Sequence, residues 1–205
     1  MKKFKLDKPR EECGIFGISD HEDASALVAL GLHALQHRGQ EGCGIVSFDN
    51  KTFHSEKRQG LVGDHFTDPM VIKKLPGKSA IGHNRYSTTG EVSLRNIQPF
   101  FADLYSGGVS LAHNGNLTNA IELRNNLVRD GAIFRTTSDT ETIVQLIAKS
   151  KRNKMIDKII DTLFQIQGGY ALVMMTNEKL IGLRDPFGIR PLVIGKLKNS
   201  YVFAS

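Results

Sequence analysis

Cys13, in the stretch EECGIFGIS, is one of two cysteines in the chain, and a thiol is a nucleophile once it is deprotonated and reachable. Taken alone, it also reads as a buried cysteine opening a core strand, because cysteine is among the most buried residue types. Three polar clusters elsewhere each end an apolar run: His83-Asn84-Arg85-Tyr86-Ser87-Thr88-Thr89-Gly90, His113-Asn114-Gly115-Asn116, and Ser138-Asp139. Each has a plain structural explanation. Asn-Gly favours a tight turn, Arg85 can serve a structural salt bridge, and Asp139 complements a helix dipole. Together they suit one small ligand, a free α-amino acid. Arginine grips a carboxylate bidentately, aspartate takes an ammonium, and an Asn amide beside a Gly N–H supplies two donors for an oxyanion. A base is not evident. His37, His83 and His113 are as readily packing or hydrogen-bonding residues as catalytic ones.

The elements that must position these groups follow from hydrophobic patterning. CGIFGIS reads as a short buried strand. Residues 23–36 are apolar on nearly every side, a buried helix with Asp23 as N-cap. Residues 36–44 are glycine-rich and read as a loop. IVSFD and TFHSEK form a hairpin joined at Asp49-Asn50-Lys51. Residues 79–90 and 107–119 are strands with polar ends. Helices are expected over 119–131, stopped at Gly131, over 138–150 with a Ser138/Glu141 capping box, and over 154–167. YALVMMT, KLIGLRD, PLVIGK and YVFAS are strands again. Strands, then helices, then strands, with tight turns between strands, describe an α+β or layered αββα arrangement of antiparallel sheets, not a doubly wound one.

Bulk properties narrow the class. With 40% hydrophobic and 23% charged residues the chain can build a core and is not disordered by composition. No apolar run approaches a membrane span, and the charged FKLDKPREE after MKK excludes a signal peptide's apolar region. Two cysteines without a CxxC pair suggest neither a disulfide framework nor zinc; a lone thiol suits a reducing, cytoplasmic setting. Net charge is +6, but the basic residues are scattered apart from KSKRNK at 149–154, so the stripe needed for nucleic acid is missing.

CGIFGI, LQHRGQEGCGI, GHNRYSTTG, AHNGNLTN, TTSDTE and DPFGIRPL resemble, in order, the class II glutamine amidotransferase domain of the amidophosphoribosyltransferase family, and the resemblance runs from Cys13 to Ser205. It implies an N-terminal nucleophile hydrolase fold, a four-layer αββα sandwich. It implies that Cys13 is the nucleophile, that Asn114 and Gly115 hold the oxyanion, and that Arg85 and Asp139 take the α-carboxylate and α-ammonium of glutamine. Tyr86, Thr88 and Gly90 would line the glutamine pocket, and Arg38 would lie beside the nucleophile. Cys43 is expected to pack in the core. The family's base is the α-amine of the nucleophile, so residues 1–12 are implied to be a propeptide cut before Cys13.

The resemblance further implies a second domain absent before Ser205, so that the chain reads as a fragment. That domain would use ammonia to convert phosphoribosyl pyrophosphate to 5-phosphoribosylamine at the start of purine synthesis. Mg²⁺ and an iron–sulfur cluster would belong there, with no metal or cofactor in this segment. The family suggests a homo-oligomer, with neither nucleic acid nor membrane as partner. Two alternatives stay open: another class II amidotransferase, and a non-enzymatic domain that binds glutamine or supports assembly.

Overall fold

Alternation along the first strand sets the layering. In β1 (Gly14–Ile18), Ile15 enters a layer with Val46, Ile81, Ala112, Ala171 and Val173. Phe16 and Ile18 point the other way, among Val28, Ala29 and Leu32 of α1 (Ala24–Ala34). This is the two-residue period of a strand buried on both faces. The computed structural model describes residues 12–86 and 93–205. After α1 come β2 (Gly42–Phe48), β3 (Phe53–Gln59), the short helices α2 (Val62–His65) and α3 (Pro69–Lys73), and β4 (Ser79–Arg85). Then follow β5 (Phe100–Leu104), β6 (Gly107–Leu117), α4 (Ala120–Arg129), α5 (Asp139–Lys149), α6 (Met155–Leu163), β7 (Gly168–Thr176), β8 (Leu180–Arg184), β9 (Val193–Leu197) and β10 (Ser200–Ala204).

The strands form two antiparallel sheets, ordered β3-β2-β4-β1-β10-β9 and β5-β6-β7-β8. The Ile15 layer lies between them. The six-stranded sheet is covered by α1, α2 and α3 over a second core that includes Cys43, Ile45, Val62 and Phe66. The four-stranded sheet is covered by α4, α5 and α6 over a third, with Leu111, Leu127, Ile143, Ile147, Ile159 and Leu172. The four-layer αββα sandwich is therefore as expected. Helix α1 sits low on its sheet because Gly82 is bare there: a Cβ at that position would lie 2.6 Å from Val28 Cγ1 and 2.7 Å from Leu32 Cδ1. No helix among the described residues is long and apolar enough to cross a membrane.

Several local expectations change. The glycine-rich stretch 36–44 is a 3-10 turn (Gln36–Arg38) that passes into β2 at Gly42, so its last three residues are strand rather than loop. Asp23 does not cap α1 with its side chain. The capping box at α5 is not made. Ser138 Oγ accepts from Thr140 N (3.3 Å), but Ser138 N donates to Thr136 Oγ1 (3.2 Å), and the Glu141 carboxylate reaches further back to Arg135 N and Thr136 N. The 49–51 hairpin forms as expected. Asp49 Oδ1 accepts from Lys51 N and Thr52 N, and Asn50 takes a φ of +71°.

Candidate active site

Antiparallel pairing of β1 with β4 puts Gly14 opposite Asn84, which brings the residue before β1 to the residues after β4. Tyr86 N donates to Cys13 Sγ at 3.4 Å, and Sγ lies 3.6 Å from Tyr86 O. The backbone N–H of Cys13 donates to Arg38 O at 2.8 Å. Cys13 has a φ of +64°, a left-handed conformation uncommon outside glycine. Burial pushes its thiol pKa up; the hydrogen bond from Tyr86 and the charges of Arg85 and Arg190 oppose this, and Glu12 reinforces it.

The end of β6 supplies the second group. Asn114 is fully buried, and neither its amide nitrogen nor its oxygen has a hydrogen-bond partner among the described residues. An unpaired buried amide costs about 1–3 kcal/mol, and this one has hydrogen-bonding groups to offer a ligand. Gly115 follows with a φ of +148°. A Cβ there would stand 2.2 Å from Gly169 O and 2.8 Å from Tyr170 Cα across the β6–β7 pair, so only glycine fits.

The third group begins α5. Asp139 Oδ2 accepts from Leu117 N at 2.9 Å, which ties the start of the helix to the end of β6. Opposite, Arg85 is largely buried, and its Nε lies 3.8 Å from Glu41 Oε2. That contact uses Nε, and among the described residues no ion pair engages the paired Nη groups, whose geometry suits a bidentate anion. Cys13, Arg85, Tyr86, Gly115 and Asp139 all line one cavity of about 480 Å³, together with His83, Asn96, Gln98, His113 and Arg190.

Burial lowers the pKa of both buried histidines in this wall. His113 Nδ1 lies 3.0 Å from Thr140 Oγ1, and burial holds its pKa down against the pull of Asp139. Burial, with His113 and Arg85 nearby, holds His83 at about 3. The unfolded chain takes up that proton near the ordinary value of 6.5, and the folded chain only near 3. Between those values the unfolded state binds more protons, so stability falls as pH drops. Denaturant titrations between pH 7 and pH 4 should show a falling midpoint, with a shallower fall in His83→Gln. An equal fall in the variant would contradict the assignment to His83.

Of the residues singled out from sequence, Cys13, Arg85, Tyr86, Gly115 and Asp139 share the cavity, and Asn114 stands buried directly before Gly115 in β6. Arg38 is beside the nucleophile but does not line the cavity. Its carbonyl takes the Cys13 N–H, and its buried side chain reaches toward Ser205 Oγ (3.5 Å). Thr88 and Gly90 lie outside the described residues. Cys43 is in the core, where burial pushes its thiol pKa to about 12. Sequence reasoning missed Asn96, Gln98 and Arg190. Arg190 carried a signal, since it sits in DPFGIRPL. The buried Asp185 carboxylate accepts from the N–H groups of Phe187, Ile189 and Arg190 and fixes that turn at the cavity rim.

A family model described as "Glutamine amidotransferase domain" matches residues 83–205. The amidophosphoribosyltransferase of Rhizobium etli is 57% identical over 199 residues, covering 97% of this chain and 40% of the relative. The chloroplastic amidophosphoribosyltransferase of Vigna aconitifolia is 50% identical over 200 residues, covering 97% and 41%. A solved structure described as the allosteric regulatory enzyme of purine biosynthesis superposes with a TM-score of 0.90 at 44% identity, covering 94% of this chain and 42% of that one. The B. subtilis glutamine phosphoribosylpyrophosphate amidotransferase, complexed with ADP and GMP, gives 0.88 at 44% identity, covering 94% and 41%. The chain thus spans about two-fifths of the length of these relatives. With this sandwich, this cavity and these matches, the chain belongs to the glutamine amidotransferase domain family.

Proposed function

We propose that this chain is the glutaminase portion of an amidophosphoribosyltransferase, that Cys13 is its nucleophile, and that residues 1–12 are a propeptide. The observation that carries the reading is one cavity bringing together a thiol, a cation and an anion for the two ends of an amino acid, with an unpartnered Asn114 amide behind Gly115. While Glu12 is attached, the nitrogen of Cys13 is a peptide nitrogen with no useful basicity. Cleavage before Cys13 turns it into an α-amine with a pKa of about 7.7–8.0, suited to work near neutral pH.

The steps then balance. The amine takes the thiol proton, and Sγ attacks the side-chain carbonyl carbon of glutamine. The oxyanion that forms is held by Asn114 and the Gly115 N–H. The protonated amine gives its proton to the amide nitrogen, the C–N bond breaks, and ammonia leaves a γ-glutamyl thioester. The amine next takes a proton from water, whose oxygen attacks the thioester; glutamate departs and the thiol is restored. In the longer protein the ammonia displaces pyrophosphate from phosphoribosyl pyrophosphate to give 5-phosphoribosylamine, the first step of purine synthesis. On this reading Mg²⁺, an iron–sulfur cluster and homo-oligomer contacts belong to the longer protein.

Arg85 tests the substrate assignment. Arg85→Gln should raise the KM for glutamine roughly 10- to 100-fold, the worth of a charge-assisted hydrogen bond, with a smaller change in kcat. Steady-state release of glutamate measures both. An unchanged KM would remove Arg85 from glutamine binding.

A further inference from the structure

A second cavity, of about 360 Å³, is lined by residues from two segments that also contribute to the Cys13 cavity. The segment 95–100 turns Asn96 and Gln98 into the first cavity and Arg95 and Phe100 into the second. The segment 135–145 gives Ser138 and Asp139 to the first, and Arg135, Thr136 and Glu141 to the second. The two segments are pinned together. Asn96 Nδ2 donates to Thr137 Oγ1 (3.1 Å), Thr137 N donates to Asn96 Oδ1 (3.2 Å), and Gln98 Nε2 donates to Thr140 Oγ1 (3.0 Å).

The charges of the second cavity do not balance internally. It is lined by three cations, Lys57, Arg95 and Arg135, and one carboxylate, Glu141. Glu141 is already engaged, accepting from Arg135 N (2.8 Å), Thr136 N (2.7 Å) and Thr136 Oγ1 (2.7 Å). The adjacent Glu56 faces away, toward Arg58 (2.6 Å) and Lys74 (4.0 Å). None of the three cationic side chains makes an ion pair with a carboxylate among the described residues. Lys57 is half-buried, its ammonium 5.1 Å from the centre of the Phe100 ring, and burial lowers its pKa from 10.5 to about 8. A desolvated cation without a counter-charge favours any anion that can reach it. Phe100, Ile133 and Val144 give the same cavity apolar walls.

We propose that this second cavity binds a small organic phosphate, its dianion held by Lys57, Arg95 and Arg135 and its apolar body against Phe100, Ile133 and Val144. Three cations suit a dianion better than a single carboxylate. The site stands on its own lining and does not rest on glutamine binding beside Cys13.

Phenyl phosphate is the probe, with inorganic phosphate and benzyl alcohol as controls. In the chain labelled with ¹³C-lysine, saturating phenyl phosphate should raise the Lys57 pKa from about 8 toward 10.5, followed by NMR through a pH titration. Lys57→Met and Arg135→Gln should each weaken calorimetric binding roughly tenfold or more, and both controls should bind more weakly than phenyl phosphate. A Lys57 signal that does not move, or binding indifferent to both variants, would overturn the site. Inorganic phosphate binding as tightly as phenyl phosphate would overturn the organic body. Failure of glutaminase activity in probe-free chain would count against the proposed function and not against the site.

Discussion

Cys13→Ala is expected to lower glutamine hydrolysis about 10⁴-fold or more, the scale on which removal of a covalent nucleophile disables an enzyme whose groups act as a unit. The fold should survive. Cys13 precedes β1 and lies in none of the three buried cores. Among the described residues its thiol's hydrogen bonds are to the backbone of Tyr86, at 3.4 and 3.6 Å, both long contacts of a weak donor and acceptor. Thermal unfolding of the variant should therefore stay within about 1 kcal/mol of the parent chain. Cys43→Ala is the matched control. It lies in the helix-covered core, so its loss should cost stability while leaving turnover per folded molecule unchanged. Glutamate release with purified chains measures the contrast. Turnover retained in the Cys13 variant, or lost in the folded Cys43 variant, would assign the chemistry elsewhere.

Asn114→Ala separates catalysis from stability in a second way. Removing one oxyanion donor costs about 10²–10³ in kcat, with KM little changed, because the donor acts on charge that appears only in the transition state. Most buried polar residues also lose stability when truncated, because their partners are orphaned. Asn114 has none to orphan, since both amide atoms are unpaired among the described residues. Its truncation removes a burial penalty of about 1–3 kcal/mol against a cavity cost of similar size. Stability should accordingly stay level or rise while turnover collapses. A variant that loses both together would mean that Asn114 is a structural asparagine with a partner in solution. Asn114→Asp sharpens the case: a carboxylate of the same shape opposes the oxyanion and should be at least as inactive.

Much of this site was legible because its parts sit where local patterns break. Polar residues ending apolar strands marked Arg85 and Asn114-Gly115, and a serine before an amphipathic run marked Asp139. The layers were legible from the order of strands and helices. What failed depends on competition between neighbours and on tertiary partners. Thr136 Oγ1, two residues back, takes the Ser138 N–H and pre-empts the capping box, which S-x-x-E spacing alone does not weigh. Nothing local puts Gly42–Gly44 into a ladder with β3 and β4 rather than a loop. The buried states of His83 and His113 follow from the packing of two sheets, which spacing does not encode. Arg190 was missed because its cavity position depends on a turn closed by Asp185, five residues earlier, and a turn-closing aspartate looks like any loop aspartate. Arg38 meets Cys13 through its carbonyl, which accepts the Cys13 N–H and which no side-chain pattern reveals.

The central claim is that Cys13, freed as the first residue, is the nucleophile. It is tested most directly by intact and peptide mass spectrometry of the purified chain before and after treatment with a glutamine-like diazoketone. A chain that begins at Cys13 and gains one adduct, mapped to the Cys13 sulfur, is the predicted result. An adduct on any other residue, or full labelling of Cys13 in a chain that still begins at Met1, would contradict it.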